Sequence, residues 1–362
     1  MTVQQQQHHI GNSAKIVLVT GASGYLGAHC VQQLLAHGFT VRGTVRSLKN
    51  DAKVRPLRDL AASFPAERLQ LVEADLTDEH CWTAAVFGCH FVLHVASPFP
   101  IVADDSVVQI AVDGTLNVLK ACAKSETVRK GGADQFIGTF GREQNILGER
   151  LDEHGEQQSF GVQSEQNGGG KGGVGIYCDN KFELTCLNPT LIVGPILIDT
   201  QGTSITIIRR FLNNEMPAVP ALQLALVDVR DVAKAHIVAM TKAETDGQRI
   251  LLTAQPSFWF REIAKVLAKE FRSQGYWLPR FQAPYVGVWL YSFFDAESRQ
   301  VLDRLNREVH FDNSKAIKML GFEFPQSLQF HRRNGLFDDR AGSVAKSKGY
   351  RRPNRKDGKE RD

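Results

Sequence analysis

The chain has 362 residues, 43% of them hydrophobic, enough to bury the core of one large α/β unit or of two fused lobes. Its 43 basic and 39 acidic residues leave a net charge of +4, which excludes a body built to grip nucleic acid. Six cysteines (Cys30, Cys81, Cys89, Cys122, Cys178 and Cys186) include no C-x-x-C pair, so no metal is expected and the thiols read as buried and reduced. The polar opening, MTVQQQQHHIGNS, carries no secretory core and predicts a disordered start to a cytoplasmic protein. Ile16-Val17-Leu18-Val19 is a β-branched apolar run, read as a strand buried on both faces. It leads into Thr20-Gly21-Ala22-Ser23-Gly24-Tyr25-Leu26-Gly27 and then a helical pattern with Cys30, Val31, Leu34 and Leu35 on one side. Strand, glycine turn and helix in that order place backbone N–H groups and a positive helix end at one point, a seat for a pyrophosphate. Gly21 permits the turn, Gly24 lets the backbone approach phosphate, and Gly27 lets the helix pack on the strand.

Gly38 ends this helix and residues 39–46 form a second strand. The residue closing that strand in a doubly wound fold meets the adenosine ribose, where a base accommodates a 2′-phosphate. Arg46 stands there, with Lys49 and Lys53 beyond it, which favours NADP over NAD; the alternative is three solvated bases on a loop. Residues 56–64 predict a helix and 69–74 a strand ending in Asp75-Leu76, an acid for the adenine amino group and an apolar side chain for the ring. A helix over 79–87, a strand over 91–96 and a long amphipathic helix over 107–123 follow. Ala96 and Ser97 are small enough to let a ribose approach, and His94 reads as a packed strand residue. Four strand–helix alternations predict a parallel sheet, so the fold class is α/β, doubly wound (Rossmann), with a smaller C-terminal substrate lobe.

The blocks TGASGYLG, VRGTVRS, VEADLTDE, GCHFVLHVASPF and AVDGTLNVLKACA resemble the extended short-chain dehydrogenase/reductases, in their dihydroflavonol 4-reductase-like branch. The resemblance resumes at LNPTLIVGP (187–195), VDVRDVAKAH (227–236), GQRI (247–250) and FDNSK (311–315), covering most of 14–130 and 183–325. It implies NADPH reduction of a small-molecule ketone or aldehyde, or the reverse on a secondary alcohol, by a monomer or homodimer without nucleic-acid or membrane partners. It also implies NADP contacts at Gly21, Ser23, Gly24, Tyr25, Leu26, Gly27, Arg46, Lys53, Asp75, Leu76, Val95, Ala96 and Ser97. Pro189, Leu191, Ile192 and Ser204 would surround the nicotinamide and its phosphate.

The family's chemistry resides in a Ser or Thr ending the fifth strand and a Tyr-x-x-x-Lys on the next helix. The tyrosine protonates the carbonyl oxygen, the lysine lowers the phenol's pKa, and the hydroxyl orients the substrate. Residues 131–175 depart from that pattern, holding thirteen of the chain's 31 glycines and many Gln and Glu, a composition too polar to fold on a core. A Tyr-x-x-x-Lys string stands at Tyr177 and Lys181, but the strand predicted over 183–192 begins at once, leaving no length for a helix. Residues 135–140 can supply a short central strand, with Thr139 a weak replacement for the serine. The departure reads as a different central exon, a gene-model error, or a loss of catalysis that leaves an NADP-binding protein without turnover.

A helix over 203–213 and a loop at 215–220 follow. Asp228 and Asp231, with Arg230, match the sheet-closing motif of the family that the chain resembles and are read as structural. A strand over 248–253 and a helix over 258–271 come next. The aromatic cluster Tyr285, Trp289, Tyr291, Phe293 and Phe294 reads as core of the smaller lobe, with a substrate cage as the alternative. The apolar run 283–294 is too short to span a bilayer. The divisions are therefore 1–13, a dinucleotide-binding domain at 14–130, an aberrant insert at 131–181, the end of the sheet plus substrate lobe at 182–330, and a polar basic tail at 331–362.

Overall fold

The computed structural model describes residues 15–97, 105–128, 135–139, 182–199, 203–213, 215, 218–279, 281–295, 298–299 and 302–325. β1 (Ile16–Thr20), β2 (Thr40–Val45), β3 (Leu69–Glu73), β4 (Phe91–His94), β5 (Gln135–Thr139), β6 (Glu183–Pro189) and, later in the chain, β10 (Arg249–Leu252) form one seven-stranded sheet. Its order is β10-β6-β5-β4-β1-β2-β3 and every ladder is parallel. The alternation of a strand divides β1 between the two faces. Val17 and Val19 pack with α1 (Tyr25–Ala36), α2 (Asp51–Ala61), α6 (Val229–Thr241) and α9 (Ser314–Leu320). Leu18 faces the other way, toward Trp82 of α3 (Glu79–Val86) and Val118, Leu119 and Cys122 of α4 (Asp105–Lys124). The doubly wound α/β expectation is met.

The smaller lobe has its own core. β7 (Leu191–Val193) pairs in parallel with β9 (Leu226–Asp228), and β8 (Gln223–Leu224) pairs antiparallel with β11 (Phe258–Trp259). Phe211 of α5 (Thr203–Leu212) packs there with Phe260, Ile263, Leu267 and Phe271 of α7 (Phe260–Phe271). Two side chains set the junction with the sheet. Asp228 caps α6 by accepting from the Arg230 N–H at 2.8 Å, and its two oxygens take the Arg230 guanidinium at 2.9 and 2.7 Å. Burial pushes the neighbouring Asp231 carboxyl up to about 6.

Four sequence expectations are refined or corrected. The strand predicted over 183–192 is two strands in two sheets. The Thr190 N–H still donates to Leu252, but the Leu191 N–H donates to Ala225, so the chain changes sheet between Thr190 and Leu191. The helix predicted from residue 56 starts at Asp51, with Pro56 inside it, where a proline removes one intrahelical hydrogen bond. The central strand is present, β5 lying between β4 and β6 with Gly138 opposite both His94 and Cys186. The aromatic cluster expected in the core is instead exposed. In α8 (Tyr285–Tyr291) Val288 is buried, while Tyr285, Trp289, Tyr291 and Phe293 are 42–59% exposed and Phe294 is 88% exposed. Among the described residues no helix is long and apolar enough to cross a membrane. Tyr177 and Lys181, residues 140–181 that the sequence reading took as an aberrant insert, the N-terminal 14 residues and the tail beyond residue 325 lie outside the described residues.

Candidate functional site

The chain runs from β1 outward through β2 and β3, then returns to place β4 on the other side of β1. A crevice opens where the direction reverses, at the carboxyl ends of the strands, and this is where doubly wound folds bind ligands. Gly21 turns the chain there with φ +63°, and a Cβ on it would sit 3.0 Å from the Ala96 Cβ. The Gly21 N–H donates to Thr44 Oγ1 at 3.0 Å and the Ala22 N–H to the Thr44 carbonyl at 3.0 Å, so β2 holds the turn. At Gly27 a Cβ would lie 2.2 Å from the Gly21 carbonyl oxygen, so the helix packs on the turn only because that atom is missing. Gly24 caps α1 with no side chain and the first turn has no acid. The first amides and the positive helix end are therefore left to an anion.

The floor of the crevice is a hydrogen-bonded set that the sequence reading missed. Thr20 is fully buried, and its Oγ1 accepts from the N–H groups of Val95 and Ala96 at 3.1 and 3.0 Å. The same hydroxyl meets His94 Nδ1 at 3.1 Å, and His94 Nε2 meets Thr115 Oγ1 at 3.2 Å. Thr115 spends its proton on the Ala111 carbonyl, so its oxygen must accept from His94 Nε2–H. His94 is thereby a neutral imidazole taking the Thr20 proton on Nδ1, and burial pulls its pKa down to about 4. It is packed, as expected, and it also fixes where Val95 and Ala96 stand. The only local signal was a threonine ending a β-branched run before a glycine.

The outer end of the crevice is basic. Arg46 follows β2 with its side chain 83% exposed and its Nε 3.9 Å from Asp75 Oδ2. Asp75 is held by the N–H and hydroxyl of Thr77 at 2.9 and 2.7 Å, bonds that keep its carboxyl below the ordinary range. Trp82 Nε1 donates to its carbonyl and Asn117 Nδ2 to that of Leu76, both at 3.0 Å. The Leu48 N–H donates to Glu73, fixing the loop after Arg46. Lys53 Nζ donates to the Asp199 carbonyl at 2.7 Å.

Gly21 through Gly27, including Ser23 and Leu26, thus gather with Arg46, Asp75, Leu76, Val95, Ala96 and the exposed Ser97 at the carboxyl ends of β1 to β4. The Tyr25 phenol is directed away to another segment, donating to the Gly194 carbonyl at 2.9 Å. Pro189, Leu191 and Ile192 stand where β6 gives way to β7, with Ile192 packed on the main core and Leu191 on the smaller one. Ser204 is in the first turn of α5, its side chain outside the described residues. Thr139 ends β5 opposite Leu187. A separate hollow of about 420 Å³, lined by Lys242, Glu244, Lys315, Lys318 and Met319, uses none of these residues; Lys242 there donates to the Met319 and Leu320 carbonyls at the end of α9.

Residues 18–130 match the model of the 3-beta hydroxysteroid dehydrogenase/isomerase family. The chain is 31% identical over 335 residues to cinnamoyl-CoA reductase 1 of Arabidopsis thaliana, covering 88% of this chain and 87% of that one. It is 29% identical to the bifunctional dihydroflavonol 4-reductase/flavanone 4-reductase of Malus domestica, over 88% of this chain and 89% of the relative. Among solved structures, vestitone reductase from alfalfa superposes with a TM-score of 0.56 at 20% identity, covering 89% of this chain and 99% of that one. The yeast methylglyoxal/isovaleraldehyde reductase Gre2, complexed with NADPH, superposes with a TM-score of 0.59 at 22% identity, covering 87% and 95%. With the glycine turn, the reversed sheet order and this breadth of likeness together, the chain belongs to the extended short-chain dehydrogenase/reductases, in the branch of the dihydroflavonol 4-reductases and cinnamoyl-CoA reductases.

Proposed function

We propose that the protein is an NADP(H)-dependent oxidoreductase that reduces a ketone or aldehyde to an alcohol. The observation that carries this is the pairing of an uncapped helix end behind Gly21 and Gly24 with a solvent-facing arginine, Arg46, at the close of β2. The first fits a pyrophosphate and the second a 2′-phosphate. Similarity to reductases named for carbonyl substrates supports the reaction class.

When bound, the nicotinamide supplies a hydride to the carbonyl carbon. The chain's own residues hold the dinucleotide. The amides after Gly24 bind the pyrophosphate, Arg46 and Lys53 the 2′-phosphate, and Asp75 with Leu76 the adenine. Val95, Ala96 and Ser97 border the ribose, and Pro189, Leu191, Ile192 and Ser204 the nicotinamide end. The proton for the substrate oxygen is assigned to Tyr177, with Lys181 lowering its pKa. The partner is a small molecule and the setting is the cytoplasm, with the chain acting as a monomer or homodimer.

The test is a fluorescence titration with NADPH, followed by NADPH oxidation against a panel of aromatic ketones and aldehydes. Turnover is expected, and Tyr177→Phe should abolish it. Binding without turnover would leave only the reading as a non-catalytic NADP-binding protein, which the glycine-rich composition of 131–175 favours. Arg46→Ala should weaken NADPH by about tenfold or more, the size of one charge-assisted bond to phosphate, and leave NADH within about twofold. Equal losses would remove the 2′-phosphate assignment.

A further inference from the structure

Residues 194–199 run from β7 toward α5, in contact with α1 and α2. Two bonds from α1 pin the start of this segment. The Tyr25 hydroxyl donates to the Gly194 carbonyl at 2.9 Å, and His29 Nε2 donates to the Pro195 carbonyl at 2.9 Å. Ile198 is buried in the main core. Its last residue, Asp199, is held from both lobes. The Asp199 carbonyl accepts from Lys53 Nζ of α2 at 2.7 Å. The Asp199 carboxylate lies 3.3 Å from Arg209 Nη2 of α5. The Arg209 side chain is only 18% exposed, and its Nε is buried with no partner among the described residues, so Asp199 accounts for the bonding this guanidinium shows.

Lys53 therefore has two roles that meet at one ammonium. It is a candidate base for the 2′-phosphate, and it already holds the segment that leads to the substrate lobe. An ammonium has three N–H donors. One bond to the Asp199 carbonyl leaves two for phosphate oxygens, so the two roles are compatible. A phosphate beside Lys53 would draw this side chain and the carbonyl it carries, and Asp199 would move Arg209 with it.

We propose that Asp199 is a positioning residue that couples recognition of the cofactor's 2′-phosphate to the placement of α5. The path runs from phosphate to Lys53, from Lys53 to the Asp199 backbone, and from the Asp199 carboxylate to Arg209. This rests on the NADP reading given above. It predicts that the phosphate is sensed by the substrate lobe and is more than a source of affinity.

The test uses the full chain and needs no turnover. Nucleotide affinity is measured by titration with NADP⁺ and NAD⁺, and amide hydrogen exchange of α5 is then followed with each nucleotide at saturation. In the unsubstituted protein, NADP⁺ should slow α5 exchange about fivefold or more beyond NAD⁺, the low end of ordinary coupling between two sites. Asp199→Ala should erase that difference at saturation. Arg209→Met, acting from the other side of the pair, should erase it too. If NADP⁺ binds in preference to NAD⁺ but α5 exchanges equally with both, or if the difference survives Asp199→Ala, the coupling is wrong and the cofactor reading stands. If neither nucleotide binds, or NADP⁺ has no preference, the cofactor reading fails and the coupling falls with it.

Discussion

The Thr20 hydroxyl is one small group on which the crevice depends. It accepts two backbone N–H bonds from the end of β4 and supplies the proton that keeps His94 in a single tautomer. Replacing it with valine keeps the volume and takes the acceptor from two part-buried amides. Each unsatisfied group costs about 1–3 kcal/mol, so Thr20→Val should lower unfolding stability by about 2–5 kcal/mol in a urea titration. Thr20→Ser should restore most of it. A loss below about 1 kcal/mol would mean that these amides find other acceptors. The glycines beside Thr20 were legible because their purpose is local, in a turn and a helix contact a few residues away. The purpose of Thr20 lies 74 residues along the chain, at His94, and no window of sequence shows that pair.

At the level of elements, β1 to β4 and α4 were legible because each run is long, periodic and bounded by turn residues. The ends of β6 and the position of α8 were not. Residues 183–192, ELTCLNPTLI, were read as a single strand, and what divides them is a change of hydrogen-bond partner, from the β10 side to the β9 side, after Thr190. The aromatic run at 285–294 suggests a core from composition alone, but a helix of seven residues has only two turns and buries one side. Val288 and Ser292 face inward and the aromatic residues face out. Phe294→Ser should therefore change stability by less than about 0.5 kcal/mol, as surface substitutions do. Val288→Ala should cost about 1–3 kcal/mol through lost burial and the cavity left behind. The two variants compared in one urea series decide the matter: an equal cost would mean Phe294 has a packed partner. Arg46 and Lys53 show a further limit of this kind. Their charge was legible, but the grip of Lys53 on Asp199, 146 residues away, belongs to the assembled fold.

The whole molecule carries a pH dependence set by the histidines that its two packed layers enclose. His94 and His236 are both buried, and burial pulls each pKa down to about 4. His236 Nδ1 donates to the Val232 carbonyl, and the bonds of His94 to two hydroxyls likewise suit the neutral ring. Burial also lowers His29, whose Nδ1 has no partner among the described residues. A histidine with a depressed folded pKa stays neutral in the native state while the unfolded chain takes up a proton. Stability is then complete above the unfolded value near 6.5 and is lost as pH falls toward 4. At pH 5 each of the two deeply buried rings removes about 2 kcal/mol relative to pH 8. Asp231 acts in the opposite sense. Its pKa is raised to about 6, so the native state takes up its proton first and gains stability as pH falls through that value. One carboxylate offsets only part of two histidines. Chemical unfolding followed at pH 8, 6.5 and 5 should show most of the decline in the lower step, and His236→Leu should remove its share of the slope whatever it does to the midpoint at pH 8. A profile that stays level between 6.5 and 5 would mean these rings reach water, and with His94 open to solvent the floor of the cofactor crevice would not be the closed hydrogen-bonded layer on which Val95 and Ala96 stand.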